Sequence, residues 1–205
     1  MISTPHREIC YSCLRPTKVC YCKYVKPITW FPVLILMHPK EARKGINTGR
    51  MAHLSMKQSY LVTGIDFSED EGVQKLLEKH LGSTYLVFPG DGSLSTAECK
   101  KCYEGKHEDP LFIIIDGTWP QAKKMLNSNP WLQRLPKVCF HPQTPSEYKI
   151  RKQPNSQCYS TIECLQYLVS NLSSRHDSTD ILAAFNHMVK QQVDYEHRNV
   201  PTLSS

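Results

Sequence analysis

Apolar positions in this chain come as short unbroken runs at 33–38, 84–88 and 111–115 rather than as long alternations. Runs of strand length bounded by turn residues predict strands buried on both faces. A further strand is expected over 60–63, with weaker ones over 137–140 and 148–150. Between the runs the period changes to that of a helix. Ser68-Glu69-Asp70-Glu71 reads as a capping box ahead of Val73, Leu76, Leu77 and Leu81, which share one helical face, and Gly82 supplies the stop. Thr118 is expected to cap a helix that takes Pro120 in its first turn, directs Ala122, Met125 and Leu126 inward and breaks at Asn129-Pro130. A short helix capped near Thr48 carries Met51, Leu54 and Met56. Two later helices are expected over 162–172 and 181–193, the last with Phe185, Met188 and Val189 on its apolar side. Strands alternating with helices predict an α/β fold around a mostly parallel sheet.

That fold class points to particular loops. In open parallel sheets ligands bind at the carboxyl ends of strands, near the place where strand order reverses. The segments to inspect are therefore 38–49, 89–93, 116–119 and the basic stretch 151–163.

At 205 residues, 40% hydrophobic and 21% charged, the chain suits one domain, or one domain with a small appendage. Its longest apolar runs, 31–37 and 111–115, fall far short of the roughly 20 residues that cross a bilayer, and its polar start has no signal-peptide core. Neither membrane insertion nor secretion is expected, and the protein is read as cytoplasmic. A net charge of +6 and a pI near 8.8 suit a polyanionic partner such as nucleic acid.

Cysteine usage is the first departure from ordinary composition. Four of the nine cysteines lie within thirteen residues, as Cys10-x2-Cys13-x6-Cys20-x-Cys22, where an even spread would place fewer than one. In a reducing compartment such a cluster suits a metal better than a disulfide framework. Four thiolates fit Zn²⁺ in a closed structural site. An iron–sulfur cluster is chemically feasible, but nothing else in the chain suggests electron transfer. Residues 1–27 are accordingly read as a four-cysteine zinc-binding segment ordered by metal rather than by a core, 28–199 as the main α/β domain and 200–205 as a frayed tail. Cys99-x2-Cys102 lacks a second pair nearby and reads as two packed or exposed thiols on a helix.

The remaining candidates sit on the loops already singled out. Asp116 follows an apolar strand, where a carboxylate either caps the next helix or faces a pocket; Thr118 can do the capping, which leaves Asp116 for chemistry. Trp119 is either a stacking surface for a base or a core anchor. His38-Pro39-Lys40-Glu41 offers an acid, a base or a polar lock, against a structural histidine with a surface glutamate. Asn47-Thr48-Gly49-Arg50 combines a turn residue, a helix cap and a cation, suited to a carboxylate or phosphate. Arg151-Lys152 followed by Ser160-Thr161-Ile162-Glu163 places two cations beside a capping box. Walker A, Gly-x-Gly-x-x-Gly, Gly-x-Ser-x-Gly and His-Glu-x-x-His patterns do not occur, which removes the main support for kinase, dinucleotide dehydrogenase, serine hydrolase and zinc protease readings.

Taken in order, the cysteine cluster, His38-Pro39-x-Glu41, Asn47-Thr48-Gly49-Arg50, the Phe88-Pro89 strand end, Asp116-Gly117-Thr118-Trp119 and Arg151-Lys152 leading to Ser160-Thr161-x-Glu163 resemble the DTW-domain family, named for Asp-x-Thr-Trp. The resemblance implies a SPOUT-like fold with a C-terminal knot. It also implies a tRNA-uridine aminocarboxypropyltransferase that moves the 3-amino-3-carboxypropyl group of S-adenosylmethionine to N3 of a uridine and releases 5′-methylthioadenosine. On that footing Asp116 is the expected general base. Asn47, Thr48, Arg50, Pro89, Gly90, Thr118, Trp119, Thr161 and Glu163 are expected around the donor, and His38, Glu41, Arg151 and Lys152 around the RNA. Arg50 or the helix start at Thr48 would take the donor carboxylate, Glu41 or Glu163 its ammonium, and Arg7, Arg15 and Lys18 would meet tRNA phosphates. Homo-oligomerisation is one way for so short a chain to embrace tRNA. An RNA methyltransferase sharing the cofactor, and a non-catalytic zinc-containing RNA-binding module, are the competing readings.

Overall fold

Five parallel strands form one sheet in the order β2-β1-β4-β3-β5, with β1 at Val33–Met37, β2 at Ser59–Thr63, β3 at Thr84–Val87, β4 at Leu111–Asp116 and β5 at Lys137–Val138. The computed structural model describes residues 8–105, 108–140, 159–173 and 178–199. The expected strand at 148–150 lies outside them, as do Arg7, Arg151 and Lys152.

Continuous apolar runs are explained by burial on both sheet faces. Val33, Ile35, Phe112 and Ile114 enter one core cluster together with Met51, Leu165, Leu168 and Phe185. Leu34, Leu36, Leu111 and Ile113 enter the other, against Val73, Leu76, Met125 and Leu126. One face is thus covered by α2 (Thr48–Leu54), α4 (Thr96–Tyr103), α7 (Thr161–Leu172) and α8 (Ala183–Asn199). The opposite face is covered by α3 (Glu71–Lys79), α5 (Trp119–Ser128) and α6 (Pro130–Arg134). A one-turn α1 (Pro39–Ala42) follows β1. None of the described helices is long and apolar enough to cross a membrane.

Several element starts differ from the sequence expectation for local reasons. Asp70, not Ser68, caps α3: its backbone is extended and its carboxylate accepts from the Val73 amide at 2.9 Å, while the Ser68 amide is used in a turn closed by Asp66. Asn47, not Thr48, caps α2 by accepting from the Arg50 amide. The fifth strand is shorter than expected, ending at Val138, where Leu94 also pairs with it and the Cys139 amide donates to the Leu94 carbonyl at 3.0 Å. A 3-10 turn, Ser178–Leu182, takes the start expected for the last helix, which runs on to Asn199. Thr118 and Ser160 cap their helices as expected, Ser160 in the expected capping box with Glu163 and Thr118 in one completed by Gln121.

Strand order fixes where chemistry can sit. After β1 the chain moves to β2 on one side, and after β4 it crosses β3 to β5 on the other. The crevice at the carboxyl ends of β1 and β4 is therefore a topological switch point. Met37 pairs with Asp116 at the rim of that crevice.

Candidate active site

Asp116 is the last residue of β4, and its main-chain carbonyl accepts from the His38 amide at 2.9 Å. Its side chain is 5% exposed. Oδ1 accepts a hydrogen bond from the Thr161 hydroxyl at the first turn of α7. On the Oδ2 side the backbone of α2 comes so near that a Cβ on Gly49 would lie 2.5 Å from that oxygen. Only glycine allows this approach. Asn47 sets the position of α2: its amide group donates to the Glu41 carbonyl at 2.8 Å while its oxygen takes the Arg50 amide. Residues far apart in sequence thus converge on one carboxylate.

A cavity of about 200 Å³ opens beside it, at the carboxyl ends of β3, β4 and β5. Its walls include Phe88, Pro89, Gly117, Trp119, Phe140 and Tyr159, together with Thr161 and Cys164 from α7. Trp119 is 42% exposed and meets Phe88 edge-on, with ring centroids 5.5 Å apart. It stands at the mouth rather than in the core. Phe140 stacks on Tyr167 at 4.2 Å, which steadies the opposite wall. Apolar walls carrying a few polar groups describe a site for a flat, partly apolar ligand.

The other residues singled out in the sequence divide into groups. Pro89, Trp119 and Thr161 line the cavity. Asn47, Thr48 and Arg50 lie on the α2 side of Asp116. Gly90 and Thr118 adjoin lining residues. Glu163 accepts from the Ser160 amide at 2.8 Å and from the Ser160 hydroxyl at 2.6 Å, so it anchors the start of α7. Glu41 is buried rather than on the surface, and pairs with Lys44 at 2.6 Å. His38 caps α1, its Nδ1 accepting from the Lys40 amide at 3.1 Å. Burial and the nearby Lys40 hold its pKa below the ordinary histidine value, which favours the neutral ring.

Sequence reading missed Phe140, Tyr159, Cys139 and Cys164 as cavity residues, since no local pattern marks them. Gly49 did carry a signal, because glycine inside a helix costs about 1 kcal/mol against alanine and calls for a packing reason. Desolvation, with the charges of Glu163 and Asp116 adding to it, pushes the Cys164 thiol up to about 12. A thiol so held stays protonated and is a poor nucleophile. Iodoacetamide at neutral pH is expected to label the exposed Cys102 and to spare Cys164, along with Cys99, which burial also raises to about 12. Peptide mapping that found Cys164 labelled as fast as Cys102 would contradict this.

At the other end of the chain, all four sulfurs of Cys10, Cys13, Cys20 and Cys22 lie within 4.8 Å of one another. The Cys10–Cys22 and Cys13–Cys20 separations are both 3.7 Å. A tetrahedron with metal–sulfur bonds of about 2.3 Å has edges of about 3.8 Å, whereas a disulfide would need about 2.05 Å. The amides of Cys13 and Ser12 bring the Cys10 thiol down to about 6, whereas burial pushes the Cys13 and Cys22 thiols up, so a bound cation is what would hold all four as thiolates. Arg15 is buried with its guanidinium over the Tyr21 ring, so it packs inward while Lys18 remains exposed.

A profile of the DTW domain matches residues 7–193. The chain belongs to the DTW-domain family. A Drosophila melanogaster protein named tRNA-uridine aminocarboxypropyltransferase 2 is 30% identical over 197 residues, covering 92% of this chain and 76% of the relative. The mouse protein of the same name is 34% identical over 180 residues, covering 83% of this chain and 58% of the relative. An Arabidopsis thaliana relative named tRNA-uridine aminocarboxypropyltransferase A is 26% identical, covering 92% of this chain and 82% of its own length. No solved structure matches significantly. In this DTW domain the naming motif, Asp116-Gly117-Thr118-Trp119, supplies the buried carboxylate, a cavity wall, a helix cap and the aromatic at the mouth.

Proposed function

We propose that this chain transfers the 3-amino-3-carboxypropyl group of S-adenosylmethionine to N3 of a uridine in tRNA, forming acp3U and releasing 5′-methylthioadenosine. The observation that carries the reading is the buried Asp116, hydrogen-bonded to Thr161 in the wall of a cavity at the strand ends, in a chain whose relatives bear that activity in their names. The cavity between Pro89, Trp119 and Thr161 takes the adenosine, with Gly90 and Thr118 beside it. Arg50, next to Gly49, takes the donor carboxylate, and Asn47 and Thr48 fix the turn that presents it. Glu163 supports the site by holding α7. Arg151 and Lys152 are assigned to the RNA side, whereas His38 and Glu41, both buried, shape the turn after β1 rather than meeting RNA.

The donor supplies a sulfonium whose adjacent carbons are all electrophilic, so the group transferred depends on which carbon lies in line with the acceptor. N3 of uracil bears a proton and attacks once it is removed. Asp116 takes that proton as general base. N3 then bonds to the aminocarboxypropyl carbon, the electron pair of the broken carbon–sulfur bond stays on sulfur, and the leaving thioether is neutral.

Zinc is the metal we assign to the four-cysteine cluster, as a structural ion that takes no part in transfer. The SPOUT-like knot, a cytoplasmic location and a homo-oligomer that widens the RNA surface belong to the same proposal, as does the division into a metal segment at 1–27, a catalytic domain at 28–199 and a tail at 200–205. Exposed Lys18 and the net charge of +6 suit phosphate contacts that position RNA without reading its sequence.

Incubation with unmodified tRNA and S-adenosylmethionine, nuclease digestion and mass spectrometry test the reading. Aminocarboxypropyluridine with methylthioadenosine is the expected pair of products. Methylated nucleoside with S-adenosylhomocysteine would instead establish a methyltransferase. A folded, metal-loaded protein that binds RNA but not the donor would be a binding module.

A further inference from the structure

Thr161 is the residue that belongs to both halves of the site. It stands in the cavity wall, and its hydroxyl donates to Asp116 Oδ1. Its own place is fixed, because Glu163 Oε2 binds both the amide and the hydroxyl of Ser160, immediately before it. From the opposite side, the α2 backbone packs so close to Asp116 that any Cβ on Gly49 would collide with the carboxylate, and Asn47 ties that turn to the end of α1. The carboxylate is therefore gripped between a hydroxyl on α7 and a glycine on α2.

We propose that Thr161 is a positioning residue for the transfer reaction, holding Asp116 in its reactive orientation from the wall of the donor cavity. The proposal rests on the aminocarboxypropyl transfer reading above. A donor seated in the cavity touches the element that aims the base, so donor and base are aligned by one side chain. Its methyl and hydroxyl divide the work: shape toward the cavity is shared by threonine and valine, whereas the hydrogen bond to Asp116 is shared by threonine and serine.

A hydroxyl that donates to a carboxylate favours its ionised form. Removing it raises the pH at which Asp116 becomes a competent base. Among the described residues, the titratable groups on the elements around Asp116 are His38, Lys40 and Glu41 after β1, Arg50 and His53 on α2, Lys123 and Lys124 on α5, and Glu163, Cys164 and Tyr167 on α7. None of these is altered by a change at Thr161, so a shift in the pH profile reports on the hydrogen bond itself.

The test uses the full metal-loaded chain, S-adenosylmethionine at saturation and unmodified tRNA, with single-turnover rates measured across the acid and neutral range. Thr161→Val is expected to slow transfer about 10- to 100-fold, the value of a hydrogen bond to a charged group, and to move the acid limb upward by about one pH unit. Donor binding, measured by calorimetry without RNA, should be retained. Thr161→Ser should keep the wild-type limb and most of the rate. Thr161→Ala removes the hydroxyl without adding bulk and carries the same readout if the valine variant does not fold. A valine or alanine variant whose acid limb is unmoved, whatever its rate, overturns the proposal. A wild-type protein that makes no aminocarboxypropyluridine overturns the parent reading, and the positioning role falls with it.

Discussion

Asp116→Asn should lose about 10²- to 10⁴-fold in transfer rate, the usual contribution of a general base, while folding normally and binding the donor. The choice of asparagine matters. Its side-chain oxygen can still accept from the Thr161 hydroxyl and its shape fits beside Gly49, so the packing around the site survives. Asp116→Ala removes the same base but strands the buried Thr161 hydroxyl, at a cost of about 1–3 kcal/mol in stability, which mixes a folding effect with a chemical one. The asparagine variant is thus the sharper probe. Product mass spectrometry gives the rate, and calorimetry the donor affinity. Activity within a few-fold of wild type would remove Asp116 from the mechanism and leave it as the lock that joins α7 to β4.

Cys10→Ser should abolish stoichiometric zinc and lower the thermal midpoint by more than about 10 °C. Binding of a structural zinc is folding free energy, about 10–16 kcal/mol in small zinc domains. For a chain of this size each kcal/mol shifts the midpoint by about 2–4 °C. The effect extends beyond the first 27 residues because of where the segment packs. Tyr21 is 1% exposed, and with Cys13 it joins the core cluster that contains Met51, Leu165 and Phe185. Tyr24 stacks on His187 of α8 at 3.7 Å. The exposed Lys26–Asp180 ion pair, at 2.7 Å, adds little by itself. Loosening this contact should weaken use of tRNA more than donor binding, since the donor cavity lies at the strand ends and takes no wall from the cysteine segment. Metal analysis and thermal unfolding give the answer, and unchanged zinc in the variant would refute a four-cysteine site.

Much of the framework was legible because it is written in short-range relations. Each strand at 33–37, 84–87 and 111–116 is a contiguous apolar run bounded by turn residues, and the helices beginning at Trp119 and Thr161 have their cap residue immediately before them. Competition among neighbouring caps was harder to read. Ser68 and Asp70 both precede α3, and the choice of Asp70 depends on Asp66 having engaged the Ser68 amide.

By itself, the sequence determined the main strands and the longer helices, though not the short α1 and α6, together with the α/β class, the four-cysteine spacing and the Asp116-Gly117-Thr118-Trp119 motif, since all of these depend on residues within a few positions of one another. The tertiary structure alone decided the strand order, and with it the meeting of Gly49, Asp116 and Thr161 across 67 and 45 residues of chain. It also decided that Glu163 holds a helix start and that Tyr21 is core. The physical reason is that a parallel sheet pairs strands through long crossovers. Their order is set by which helices can cover both faces at once, a condition that no local window of sequence contains.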